Sequence, residues 1–258
     1  MKYVVLIALL LFCVPAMAET PEQKGLRIIT ESDKRDSGWQ DQTATLVMIL
    51  KDSQGNESRR EIRSRTLEVE ADGDKSMSIF DTPADVKGTA FLSFTHALKP
   101  DDQWLYLPAL KRVKRISSRK KSGPFMGSEF AYEDLTSQEV EKYSYRWLRD
   151  ETLDSRETHV IESRPAYQYS GYTRLVGWID KGHLRPLKIE FYDRKNVLLK
   201  TLTQHDYKEY LPGIYRAARF EMVNHQTGKS TTLLWSDYQF KTGLSERDFD
   251  KNALKRAR

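Results

Sequence analysis

The sequence predicts a mainly β protein of the α+β class, built on one large, strongly curved antiparallel sheet of about eleven strands. Three observations predict it. Short runs rich in β-formers recur along most of the chain, punctuated by turns such as Ser53-Gln54-Gly55-Asn56, Arg194-Lys195-Asn196 and Thr227-Gly228. Strands never alternate with long helical patterns, which argues against a parallel sheet. No linker or shift of composition divides residues 19–258, so they form a single domain.

The elements follow in order. Thr20-Pro21-Glu22-Gln23 is a capping box with proline at the first helical position, and predicts a helix to about Arg35. Leu26 and Ile29 give that helix an apolar stripe. Strands follow over Thr43–Lys51 and over the return segment in which Arg59, Glu61, Arg63 and Arg65 alternate. Leu67 and Val69 share the parity of those charges, which predicts a bulge near Thr66. Thr82-Pro83-Ala84-Asp85 predicts a short helix ending at Gly88, and Thr89–Thr95 pairs with Gln103–Leu107 across a polar turn. Seven more strands are expected near 142–150, 156–164, 173–180, 185–193, 197–210, 214–225 and 229–241. Ser245 caps a last short helix.

The first eighteen residues bound the compartment. Lys2, the apolar run Val4–Val14 and the small-x-small site Ala16-Met17-Ala18 read as a cleaved signal peptide, with residues 19–258 exported to the periplasm. Phe12 directly before Cys13 argues against lipidation there. The sole cysteine leaves with the signal, so the exported domain relies on its core rather than on disulfides. The full chain has 42 basic and 37 acidic residues, a mild net charge of +5, so local clusters matter more than the total. Export excludes nucleic acid as the partner of those clusters.

Catalytic chemistry finds no support. The five histidines are scattered without metal-ligand spacing, and no nucleophile elbow or phosphate loop is present. Glu129, Glu133 and Asp134 read as dipole partners of a short helix capped by Ser128. No catalytic residue, metal or cofactor is expected.

The stretch from Trp104 to Leu135 is the informative one. Trp104-Leu105-Tyr106-Leu107 has no polar face, so that strand is covered on both sides. The same holds at Phe91-Leu92-Ser93-Phe94 and at Leu46–Leu50. Such strands predict that the concavity of the sheet holds packed helices (the N-terminal one, or those near Pro83 and Tyr132) or an apolar ligand. Phe91, Trp104, Tyr106, Phe125, Met126 and Phe130 are the candidate cavity residues. Lys111, Arg112, Lys114 and Arg115 read either as a solvated edge strand or as the contact for anionic headgroups or an acidic partner. Val113 shares the parity of Lys111 and Arg115, so the side bearing Arg112 and Lys114 is expected to be the free one.

Asp101–Ile116, then Phe125-Met126-Gly127-Ser128-Glu129-Phe130 and Tyr132-Glu133-Asp134-Leu135, resemble the signature of the LolA-like outer membrane lipoprotein-sorting protein family. Pro124 stands where serine is common and Glu129 where aspartate is common. The resemblance covers essentially all of residues 19–258. It implies an open half-barrel with helices over its mouth and a hydrophobic cavity for lipid or lipoprotein acyl chains, without covalent chemistry. It also implies transient membrane contact and a possible partner among membrane exporters of the RND/MMPL type. An adaptor of such an exporter that carries no lipid is the alternative reading.

Overall fold

The structure is a computed structural model that describes residues 18–70 and 72–256. Residues 1–17 of the expected signal peptide, Cys13 among them, lie outside the described residues. Thirteen strands form one antiparallel sheet: β1 (Asp41–Lys51), β2 (Glu57–Leu67), β3 (Lys75–Thr82), β4 (Ala90–Phe94), β5 (Asp102–Leu107), β6 (Arg112–Ile116), β7 (Tyr143–Leu153), β8 (Arg156–Pro165), β9 (Tyr172–Asp180), β10 (Pro186–Asp193), β11 (Leu198–Leu211), β12 (Ile214–Asn224) and β13 (Ser230–Phe240). Their spatial order is 6-5-4-3-2-1-13-12-11-10-9-8-7. Two meanders, β1–β6 and β7–β13, therefore meet at a seam between β1 and β13. β6 and β7 are the unpaired edges, and the sheet does not close.

The two strands beyond the expected eleven are β3 and β6, the latter being the edge strand that the basic run offered as one reading. The bulge expected near Thr66 is absent, for β1 and β2 pair without interruption from Asp41↔Leu67 to Lys51↔Glu57. Leu67 does share a face with Arg63. That outer face is polar in its middle and apolar where the C-terminal segment covers it, so it needs no change of register. Residues 83–88 form turns rather than the expected helix.

Helix α1 (Pro21–Arg35) carries the predicted box, Gln23 N–H donating to Thr20 Oγ1 at 3.2 Å and Thr20 N–H to Gln23 Oε1 at 2.9 Å. Its buried face is Gly25 and Ile28, while Leu26 is 48% exposed. Gly25 lies against the β7 backbone so closely that a Cβ would sit 2.8 Å from Trp147 N. Only glycine permits this approach, and it lets Ile28 reach Tyr145, Ile161 and Ile179.

The sheet is covered on both faces. On the outer face, Phe249 and Leu254 of the C-terminal segment, which ends in α2 (Lys251–Arg256), pack on Met77, Ile79, Ala90, Leu92 and Trp104. On the inner face lies the main core, with Leu46, Met48, Ile62, Phe80, Phe91 and Leu105 of one meander against Leu175, Phe191, Leu202, Met222 and Leu233 of the other.

Candidate functional site

The chain crosses from β6 to β7 through residues 117–142, a strap that enters the inner face. Within it Phe125 N–H donates to Phe130 O at 2.7 Å, and Tyr132 N–H to Gly123 O at 3.1 Å, making a small hairpin. Its two-residue turn has Met126 at φ 49° and Gly127 at φ 79°, the paired positive φ of the tight hairpin turns in which glycine is favoured. Phe125 and Phe130 point into the core beside Phe80, Phe91 and Tyr132; Phe91 and Phe125 have ring centroids 5.1 Å apart.

Polar groups from both meanders hold the strap. Lys200 Nζ, on a residue 3% exposed, donates to Asp134 Oδ2 at 2.6 Å and to Glu129 O at 2.8 Å. Tyr172 donates its hydroxyl to Asp134 Oδ1 at 2.7 Å, and Asn224 Nδ2 donates to Glu129 Oε2 at 2.6 Å. Glu133 accepts from Gly171 N–H, Ser170 Oγ and Tyr167 hydroxyl, and burial pushes its carboxyl above the usual range. Gln103 Nε2 of β5 donates to Tyr132 O at 2.8 Å, and Arg60 Nη1 of β2 to Met126 O at 2.6 Å. The three acids that read as helix-dipole partners are thus mainly anchors. Asp134 keeps a capping role as well, accepting from Ala131 N–H.

Beyond the strap the inner face remains open as a cavity of about 950 Å³, at the upper end of the roughly 300–1,000 Å³ of small-molecule sites. Its apolar walls come from Leu46, Met48 and Ile62, from Ile189, Phe220, Leu233 and Trp235, and from Phe91, Phe125 and Phe130. Polar residues ring the end towards α1. Arg216 Nη1 meets Asp36 at 2.6 Å and Arg185 Nη2 meets Asp180 at 3.2 Å, with Arg185 stacked over Tyr207 and Tyr215. Asp33, Glu68, Asp74 and Glu139 line the same cavity. Burial, helped by neighbouring carboxylates, pushes Asp74 up to about 6 and Glu139 up to about 7.

Of the residues singled out in the sequence, Phe91, Phe125 and Phe130 line this cavity. Met126 packs at the edge of the same core. Trp104 and Tyr106 do not: they belong to the outer-face cluster under Phe249 and Leu254. Their strand neighbours Leu105 and Leu107 take the inner side, beneath the strap. All four residues are apolar, so alternation alone gave no sign of which pair faces inward. Ile189, Phe220, Leu233 and Trp235 went unnoticed because each lies in a strand of ordinary alternation. Of the basic run, Arg112, Lys114 and Arg115 lie on the edge strand and Lys111 in the turn before it, and none of the four lines the cavity. Leu105↔Lys114 and Leu107↔Arg112 pairing puts Arg112 and Lys114 on the inner side of β6, while Arg115 sits opposite Trp104 and pairs with Asp102. Neither Arg112 nor Lys114 makes an ion pair among the described residues.

An open single-sheet half-barrel, strapped across its inner face and holding an apolar cavity, defines the class of protein. Residues 72–256 match a family profile described as “-like: Uncharacterized protein”. No curated protein matches the chain. A Vibrio parahaemolyticus domain provisionally named an outer membrane lipoprotein-sorting protein is 59% identical, covers 91% of this chain and 99% of its own, and superposes with a TM-score of 0.89. A DUF1329 family protein from Desulfovibrio piger is 29% identical over 91% of this chain and 99% of its own, with a TM-score of 0.86. A LolA superfamily protein from Nitrosomonas europaea shares the fold at 22% identity and a TM-score of 0.71, over 89% of this chain and 98% of its own. The chain belongs to the LolA-like outer membrane lipoprotein-sorting protein family.

Proposed function

We propose that the protein is a non-enzymatic periplasmic carrier that shields the acyl part of a lipid or lipoprotein during transfer towards the outer membrane. The cavity carries this reading: a space of about 950 Å³ walled by Leu46, Met48, Ile62, Ile189, Phe220 and Leu233 suits an acyl chain. Each methylene brought in from water gains about 0.8 kcal/mol, so a short stretch of chain supplies useful affinity without polar contacts. The membrane that hands over the cargo meets Arg112, Lys114 and Arg115 on the edge strand and Lys111 in the turn before it, and an RND/MMPL-type exporter is the partner proposed to load it. The reading as an exporter adaptor without cargo is favoured by the same exposed edge and is separated by the cavity test.

Ile189 and Phe220 are half-buried lining residues of β10 and β12. Ile189→Asp and Phe220→Asp place a carboxylate where the chain would lie. Each is expected to weaken binding of a fluorescent fatty-acyl probe at least tenfold while far-UV circular dichroism stays unchanged. A folded Ile189→Asp, Phe220→Asp double variant that binds the probe like the wild type removes the carrier reading.

A further inference from the structure

The charges around the cavity are not balanced. Its walls include eight carboxylates but only four lysines and arginines: Lys34, Arg35, Arg185 and Arg216. Three of those four are already engaged, Arg35 by Glu31 at 2.9 Å, Arg185 by Asp180 at 3.2 Å and Arg216 by Asp36 at 2.6 Å. In the same cavity, three separate elements bring carboxylates together. Asp33 comes from α1, Asp74 from the turn before β3 and Glu139 from the strap. None of the three makes an ion pair among the described residues. Asp74 receives only Val69 N–H at 3.2 Å and Ser137 Oγ at 3.1 Å. The raised carboxyls of Asp33, Asp74 and Glu139 record the same shortage of positive charge, since burial and then repulsion from neighbouring carboxylates push each of them up.

A second, independent observation lies behind the carboxylates. The Tyr145 hydroxyl, on a residue 5% exposed, has no hydrogen-bond partner and sits in the field of Asp33, Glu139 and Glu141. In the cavity lining itself, Arg185 Nε and Trp235 Nε1 are buried donors that also lack partners. Buried polar groups are seldom left unmet in a folded chain. The cavity therefore offers both uncompensated negative charge and spare donors beside its apolar walls.

We infer that the cavity takes an amphiphile whose head bears a positive amine, seated between Asp33, Asp74 and Glu139 with its acyl part among Phe220, Leu233 and Ile189. The inference rests on the carrier reading and names the class of cargo. An ammonium group supplies the missing cation and donates to the carboxylates. In a phosphoethanolamine head, the phosphate would in addition accept from Arg185 and Trp235. An anionic head without an amine meets like charge at the mouth and is disfavoured. The cationic run on β6 then serves the membrane surface rather than the cargo, in keeping with its place outside the cavity.

The experiment compares fluorescent probes that share one acyl chain but carry an alkylammonium, a phosphoethanolamine, a neutral glycerol or a carboxylate head. The ammonium and phosphoethanolamine probes are expected to bind at least tenfold more tightly than the carboxylate probe. In Asp74→Asn, Glu139→Gln protein, checked for folding by its melting curve, the ratio of ammonium to glycerol affinity should fall to within twofold. Tighter binding of phosphoethanolamine than of alkylammonium assigns a share to the Arg185 wall, and equal binding assigns the gain to the amine alone. If the glycerol probe binds but the amine probes show no advantage, the inference is overturned and the carrier reading stands. If no probe binds, both fall together.

Discussion

Asp74 is the residue at which the electrostatic strain of the cavity is easiest to read out. Its carboxyl is pushed up to about 6, by burial first and then by Glu68 and Asp36, against the opposing pull of Val69 N–H and the Ser137 hydroxyl. Glu139, pushed up to about 7, faces it from the strap. The unfolded chain releases this proton near the ordinary aspartate value of about 3.9, whereas the folded chain holds it to about 6. Folding thus takes up a proton between those values, and stability falls as pH rises through that window. Asp74→Asn keeps an acceptor for Val69 and removes the charge. It should stabilise the protein by roughly 1–3 kcal/mol at pH 7.5 and by little at pH 4. Urea unfolding at the two pH values measures this, and an equal effect at both would contradict it.

Single residues also mark how far the sequence could be read. Gln23 and Thr20 form the cap that their spacing predicts, because a capping box is a local device with few alternatives. Trp104 was legible as a covered residue but not as an outer one. What covers it, Phe249 and Leu254, lies more than a hundred residues downstream. Asp33, Asp74 and Glu139 carry no motif at all. Their meeting depends on how α1, the turn before β3 and the strap are folded together.

At the scale of elements, the strap is the feature that composition least revealed. Its aromatic residues read as cavity lining, and two of them, Phe125 and Phe130, do line the cavity, but they do so as part of an inserted hairpin that fills the rest of the inner face. The buried Lys200–Asp134 pair fixes that hairpin to β11. Lys200→Met leaves Asp134 buried with the Tyr172 hydroxyl and Ala131 N–H but no cation, which should cost roughly 3–5 kcal/mol in urea unfolding. Adding Asp134→Asn should recover part of the loss. A single variant as stable as the wild type would show that the strap is held by its aromatics alone.

The edge strand β6 makes a separate prediction. Arg112 and Lys114 share its inner side without ion pairs, whereas Arg115 is engaged by Asp102. Against anionic vesicles, Arg112→Gln with Lys114→Gln should lose about 2 kcal/mol, roughly thirtyfold in affinity. Lys111→Gln with Arg115→Gln should lose less. Both losses should shrink as salt shortens the Debye length below about 8 Å. Co-sedimentation across a salt series decides it, and salt-independent binding equal to wild type in both variants would leave β6 a plain solvated edge.

At the scale of the molecule, the sheet's antiparallel character and size were legible because alternation and turn signals are local and repeat along the chain. Its strand order was not. No pattern in β1 or β13 announces that Thr45 pairs with Ser236 and Leu46 with Trp235. That pairing joins regions almost two hundred residues apart, and each meander is otherwise built from neighbours in sequence. The cavity exists only where the two meanders face each other, so it belongs to neither of them.

The seam has a consequence for how such a molecule comes into being. Each meander forms by closing short turns, whose entropic cost is small, whereas the β1–β13 contact must close nearly the whole chain. As the chain emerges from its N-terminal end, the first six strands form with β1 still lacking its neighbour. Until β13 arrives, β1 presents a bare hydrogen-bonding edge and an uncovered apolar row of Leu46, Met48 and Leu50. The last strand of the sheet is therefore also its seal, and an arrested or truncated chain exposes the surface most prone to pairing with a stranger.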